Sequence, residues 1–240
     1  MIKQLLYIFS FFLIIISPDY LLRNTFANNE FVDDQSHDVG DCCGVNLNKE
    51  AIELTRKALI DWDKNAEAMR DSMKMLERSL ELEPRQVGPY MNLSVIYCLG
   101  GKDCNKAINL LKRGIEKCPH CPDLYVSLGE RYANIRNYKQ SIVYYKKALE
   151  MNYQTSAGFF YNFGNSYLNS GLPNEAIPYY KKALNENPHH YKAWKNLVTT
   201  YYRLGDKNSI KTTIDELLKI NPPDNIKTWA KEVISQIGSE

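Results

Sequence analysis

The chain has 240 residues, 44% of them hydrophobic, an ordinary share for a globular protein of one or two domains. Thirty basic residues oppose 28 acidic ones, a formal net charge of +2. That balance gives no reason to expect nucleic acid or an anionic membrane surface as a partner. Seventeen tyrosines are many for this length and suit stacked helices, where large rings fill the gaps between backbones.

The chain opens MIKQLLYIFSFFLIIISPDYLLRNTFA. Lys3 supplies a positive start, Leu5 to Ile16 a short apolar run, and Thr25-Phe26-Ala27 a small-x-small site. Residues 1–27 therefore read as a secretory signal peptide cleaved after Ala27, with an uncleaved anchor as the alternative. Either way the rest is expected outside the cytoplasm, in a periplasmic or extracellular location. No Cys directly follows the apolar run, so lipoprotein attachment is not expected. Residues 28–48 are polar and acidic without a period, and read as a flexible linker carrying Cys42 and Cys43. From Lys49 the helical period is continuous.

Glu50 to Trp62 and Ala66 to Leu82 read as a first, worn helix pair, with Ser79 and Pro84 closing it. Tyr90-x-x-Leu93-Ser94-x-x-Tyr97 opens a second pair, with Ala107 and Pro119 in its second helix and terminator. Its turn, Gly100-Gly101-Lys102-Asp103-Cys104, is one residue longer than the others. Tyr125-x-x-Leu128-Gly129-x-x-Tyr132 opens a third, with Ser141, Tyr145 and Ala148 following and Tyr153 standing where a Pro is expected. The fourth, FYNFGNSYLNSGLPNEAIPYYKKALNENP from Phe160 to Pro188, is the clearest. Trp194-x-x-Leu197-Val198-x-x-Tyr201 opens a fifth that runs to Pro222 through Ile210, Ile214 and Leu217. The opening aromatics Tyr90, Tyr125, Phe160 and Trp194 are 35, 35 and 34 residues apart. Ile226, Trp229, Ala230, Val233 and Ile237 then place one apolar face on a capping helix over residues 225–238.

This order and spacing resembles the tetratricopeptide repeat, a helix–turn–helix unit of about 34 residues. In the fourth unit Gly164, Tyr167, Ala176, Ala183 and Pro188 match the family's residues, and Phe160, Phe163 and Tyr180 are replacements of the same class. The resemblance covers residues 49–240. It implies an all-α, right-handed superhelical solenoid of about five helix pairs, the first degenerate, with a capping helix. It further implies a non-enzymatic scaffold that binds protein or peptide partners, with no cofactor, in a groove lined by the first helices. By carry-over the groove residues are Met91, Val95 and Cys98; Val126, Glu130 and Ala133; Tyr161, Asn165 and Leu168; and Lys192, Lys195, Thr199 and Tyr202. An extended segment with an apolar portion and an acidic end fits that order. The carboxylate clamp of some members is only partly present, in Asn165, Lys192 and Asn196.

Cys118-Pro119-His120-Cys121 has the letters of a dithiol oxidase motif, and a redox or metal-handling role centred on it is the competing reading. Repeat register accounts for it more simply, since Pro119-His120 aligns with Pro188-His189. Cys118 also ends a helix, where the dipole disfavours a thiolate. The even cysteine count in an exported chain favours disulfides. Cys98 and Cys104 flank one turn and are the first choice for a pair. Cys118 and Cys121 lie roughly 20 Å away, at the other end of the second helix. They are left to pair with each other or with Cys42 and Cys43, whose own vicinal bridge is disfavoured. Zinc on Cys118, His120 and Cys121 with a linker cysteine is the alternative use. His189-His190 reads as a solvated turn, Lys146-Lys147 and Lys181-Lys182 as solvated helix faces, and Asn92-Leu93-Ser94 as a glycosylation match inside a packed helix. No residue set points to catalysis.

Overall fold

The period that starts at Lys49 becomes a run of helices in a computed structural model, which describes residues 48–58, 65–100 and 102–238. The expected signal peptide, linker residues 28–47, Trp62, Cys42 and Cys43 lie outside those residues. Eleven α-helices follow one another among the described residues, with no strand: α1 Lys49–Ala58, α2 Ala66–Leu82, α3 Val87–Val95, α4 Cys104–Lys117, α5 Pro122–Asn134, α6 Tyr138–Glu150, α7 Ala157–Asn169, α8 Pro173–Glu186, α9 Tyr191–Leu204, α10 Lys207–Lys219 and α11 Asp224–Gly238. α3 passes directly into a π-helical turn, Ile96–Gly100, which absorbs the extra residue of that unit. Each helix packs on the next in sequence, and the pairs α1/α2, α3/α4, α5/α6, α7/α8 and α9/α10 form an all-α repeat solenoid.

Local chemistry sets the helix starts. Asn65, Asp103, Asn137, Ser156 and Asp206 each accept a backbone N–H of the first turn they precede, at 2.9–3.3 Å. Asn48, at the expected linker's end, does the same for α1 through Glu50 N at 2.9 Å. Pro122 and Pro173 begin α5 and α8, where a missing N–H costs nothing.

The pairs are held by matched sizes. A Cβ placed on Gly129 meets the Tyr145 ring at 3.1 Å, and one on Gly164 meets Tyr180 at 2.8 Å. In the second and fifth units the same register holds Ser94 with Leu111 and Val198 with Ile214, all buried. A full ring thus faces a bare backbone, and a smaller side chain faces a residue that has a Cβ. Rings then link unit to unit, as where Tyr145 meets Phe159 edge-on at 5.4 Å and Phe163 at 5.2 Å.

A second repeated contact closes each unit. Tyr90 Oη donates to Pro84 O at 2.9 Å, Tyr125 Oη to Pro119 O at 3.0 Å, and Trp194 Nε1 to Pro188 O at 2.8 Å. Phe160 has no donor, and the residue six before it is Gln154. The terminator register of the third unit therefore belongs to Gln154 and not to Tyr153, which the sequence reading placed there. Asn152, at φ 58°, turns the chain at that point without a proline.

Size matching has a measurable consequence. Gly164→Val should cost about 1–3 kcal/mol in denaturant unfolding, because the Tyr180 ring must move. Combining it with Tyr180→Ile, the residue type used by the fifth unit, should cost less than the sum of the two single changes by about 0.5–3 kcal/mol. Strict additivity would remove the matching argument.

Candidate functional site

Successive first helices α3, α5, α7 and α9 touch one another, whereas successive second helices do not approach as closely. The array therefore curves toward its first helices, and their outward-looking side chains line the inner face. That face is the candidate binding surface.

The expected groove residues divide into three kinds. Val126, Leu168 and Cys98 are buried and serve packing. Met91, Val95, Glu130, Ala133, Tyr161, Asn165 and Lys195 are half-buried. Lys192, Thr199 and Tyr202 are exposed. Tyr202 keeps 51% of its surface accessible, unusual for a large ring that packing could have used. Lys195 extends over the Trp229 ring of α11 with its Nζ 5.3 Å from the centroid, which fixes its charge at the edge of the face.

Polar bonds between neighbouring first helices run along this face. Asn134 Nδ2 donates to Cys98 Sγ at 3.3 Å. Asn162 Nδ2 reaches Glu130 Oε1 at 3.5 Å, and Glu130 Oε2 takes Arg131 Nη2 at 3.1 Å. Asn196 Nδ2 donates to Asn165 Oδ1 at 2.6 Å and lies 3.4 Å from Tyr161 Oη, while Tyr180 Oη donates to the same Asn165 oxygen at 2.8 Å. Arg203 Nη1 bonds the backbone oxygen of Leu168 at 3.3 Å. Burial pushes the hydroxyl pKa values of Tyr161 and Tyr180 up, so Tyr180 donates to Asn165 and Tyr161 accepts from Asn196 as neutral phenols. Asn162, Asn134 and Arg131 were absent from the expected groove, and Asn196 was expected there only as part of the carboxylate clamp. Asn92, Asn162 and Asn196 stand two residues after the opening aromatic of their units, so the recurrence was there to be read.

Arg131 departs from that pattern. Ser166 and Thr200 hold its register in the next units, yet its guanidinium is buried, with Nε and Nη1 lacking hydrogen bonds. Its charge is offset by Glu130 alone, which leaves the middle of the face close to neutral. The basic groups Lys192, Lys195 and Arg203 are gathered on α9.

The cysteines are placed by the helices. Cys98 and Cys104 form a disulfide across the long turn. Cys118 is disulfide-bonded. The Cys121 thiol is fully buried, its Sγ 3.8 Å from Asp123 Oδ2. Among the described residues no group of three His, Cys, Asp or Glu side chains is placed to hold a metal ion. His189 is exposed, whereas His190 is half-buried, its ring 4.8 Å from that of Tyr161. The solvated-turn reading therefore holds for His189 and not for His190.

Comparison with known proteins agrees with this architecture. Models of the tetratricopeptide repeat family match residues 122–155 and 167–229. The chain is similar in fold to the crystal structure of PilW, a type IV pilus biogenesis factor, at 18% identity and a TM-score of 0.67 over 80% of this chain and 87% of that one. It is also similar to YrrB, described as a TPR protein with an unusual peptide-binding site, at 20% identity, a TM-score of 0.59 and coverage of 77% and 94%. MamA is a third similar structure, at 19% identity, a TM-score of 0.57 and coverage of 73% and 95%. No curated protein sequence matches the chain.

His190 supplies a pH dependence. It caps α9 by accepting the Ala193 N–H on Nδ1 at 3.2 Å. Burial lowers its pKa and neighbouring Lys192 lowers it further. A depressed histidine contributes stability that is present above its unfolded value, about 6.5, and lost as pH falls through the folded value. Thermal stability should therefore decline from pH 7 toward pH 5, and the decline should be shallower in His190→Asn, which keeps a capping acceptor without a titrating ring. Equal slopes in the two proteins would assign the pH dependence elsewhere.

Proposed function

We propose that this chain, a tetratricopeptide repeat protein, is a non-enzymatic scaffold that holds a segment of a partner protein against its first-helix face, outside the cytoplasm. The observation that carries the reading is Tyr202, a half-exposed ring on the inner face of α9, the helix that also carries Lys192 and Lys195. Packing leaves Tyr202 and Lys192 exposed while Lys195 is held over Trp229, and an exposed aromatic ring on a cationic face is a common anchor in protein recognition. Apolar Met91 and Val95 at the other end and cations on α9 favour an extended segment whose apolar part lies toward α3 and whose acidic part lies toward α9. The carboxylate clamp gains no support, since Asn165 and Asn196 bond each other.

Two likenesses support the setting and the ligand class. PilW is named as a pilus biogenesis factor, which favours an envelope role for this chain, alone or within a larger complex. YrrB is described with a peptide-binding site, which favours a peptide-like ligand. The full burial of Cys121 favours a structural use of the Cys118–Cys121 stretch over a redox one, because an attacking thiolate needs access.

The test places a photo-crosslinking residue at Tyr202, and separately at Val143, an exposed position on the second helix α6. Adducts with one partner should form from position 202 and not from 143, and Lys192→Glu with Lys195→Glu should weaken them. Equal adducts from both positions would refute the inner-face reading. Sequencing of the mature amino terminus should find Asn28 first if the chain is exported and processed.

A further inference from the structure

The net charge of +2 conceals an asymmetry between the two edges of the array. Because the pairs stack in one orientation, the turns joining the first helix to the second within each unit share one edge. The turns that return to the next unit share the other. An open hollow of about 380 Å³, lined by Ile135, Arg136, Tyr138, Lys139 and Ser170, lies between two successive turns of the first kind and shows them side by side.

Each of the last three within-unit turns carries a large apolar side chain in solvent: Ile135 at 40%, Leu172 at 41% and Leu204 at 37% exposure. Among the described residues, only Leu218, near the end of α10, is comparable at the return edge, and the return turns themselves expose prolines and polar residues. The within-unit edge also carries Lys102, Lys106, Arg136, Lys139, Arg203 and Lys207 against Asp103, Glu175 and Asp206. Asp103 and Asp206 are engaged in capping α4 and α10. Arg136 sits at φ 60°, where the equivalent turns use Gly171 at 83° and Gly205 at 71°. A glycine would make the same turn without strain, so this turn keeps a cationic side chain at a conformational cost.

We propose that the within-unit turn edge is a docking surface for the anionic face of a lipid bilayer. Ile135, Leu172 and Leu204 enter the headgroup layer and Arg136 and Lys139 meet lipid phosphates. Charge complementarity selects this occupant. Spaced apolar tips interleaved with cations suit a fluid, negatively charged surface. This surface is separate from the inner face, so the scaffold keeps its binding side free while lying on a membrane.

The test uses the full chain with vesicles of phosphatidylcholine, with and without phosphatidylglycerol, read by co-sedimentation. Binding should require phosphatidylglycerol and weaken as salt rises. Arg136→Ala and Lys139→Ala should each lower it about fivefold, the worth of one basic residue near such a surface. Ile135→Ser with Leu172→Ser and Leu204→Ser should remove most of it, while Val143→Ser leaves it unchanged, all with unaltered circular dichroism. Equal binding to uncharged vesicles, no vesicle binding, or binding indifferent to these substitutions would each overturn the proposal. The inner-face crosslinks from position 202 should persist in the turn-edge variants.

Discussion

Everything in this array depends on how closely two helices of one unit can approach. At Gly129 and Gly164 the backbone itself is the surface against which a tyrosine ring lies, so a single added carbon collides. Core interiors do not absorb such a change, because their packing density leaves little space to move into. The other units solve the same contact with Ser94 and Leu111, or Val198 and Ile214. The constraint is therefore on the sum of two side chains, and neither residue is dictated alone. With that distance set, the rings find their partners, as where Tyr167 stacks on Tyr179 within the fourth unit at 5.2 Å and Lys146 of the preceding unit lies over the Tyr167 ring at 5.9 Å.

Periodicity made most of the fold legible. Ala66–Leu82 and the capping helix follow directly from apolar residues at helical spacing, and the opening aromatics set the register of the units between. The third terminator was misplaced by one residue. The missing proline was compared with its sequence neighbours and not with the hydrogen bond it serves. Measured from Tyr90, Tyr125 and Trp194, the accepting carbonyl is six residues back each time, and Phe160 has no donor to require it. A lost donor and a lost proline occur together.

The face was harder to read than the fold. Sequence spacing identifies which side of a helix a residue occupies, but not how deeply the neighbouring helix covers it. Val126 and Leu168 are on the expected side and are nonetheless buried, because adjacent first helices close over them. Asn162 fell outside the expected set because its bond runs between units, to Glu130, and Asn196, expected as part of a carboxylate clamp, instead bonds Asn165 of the preceding unit. Arg131 is the least legible residue. Nothing in its spacing distinguishes it from Ser166 and Thr200, yet it places a charge where they place a hydroxyl. A buried guanidinium with open donors is costly unless paired, and its partner Glu130 is the acid on this stretch of the face. The pair leaves α9 as the charged end.

The second unit shows how the chain tolerates a departure from its own rule. Its turn is one residue longer, and the extra residue is taken up in a π-helical turn where i→i+5 bonding replaces the tighter ladder. Its register pair is Ser94 with Leu111, and it places a ring on glycine elsewhere, where a Cβ on Gly114 would meet the Tyr90 ring at 2.9 Å. The disulfide between Cys98 and Cys104 spans that turn. By the chain-entropy argument, closing so short a loop contributes about 2 kcal/mol. Asn134 donates to the same Cys98 sulfur, so the link that closes this turn also ties the unit to the next first helix. Covalent closure thus falls at the longer turn, where the helical ladder itself is irregular, and a hydrogen bond carries the link on to the next first helix.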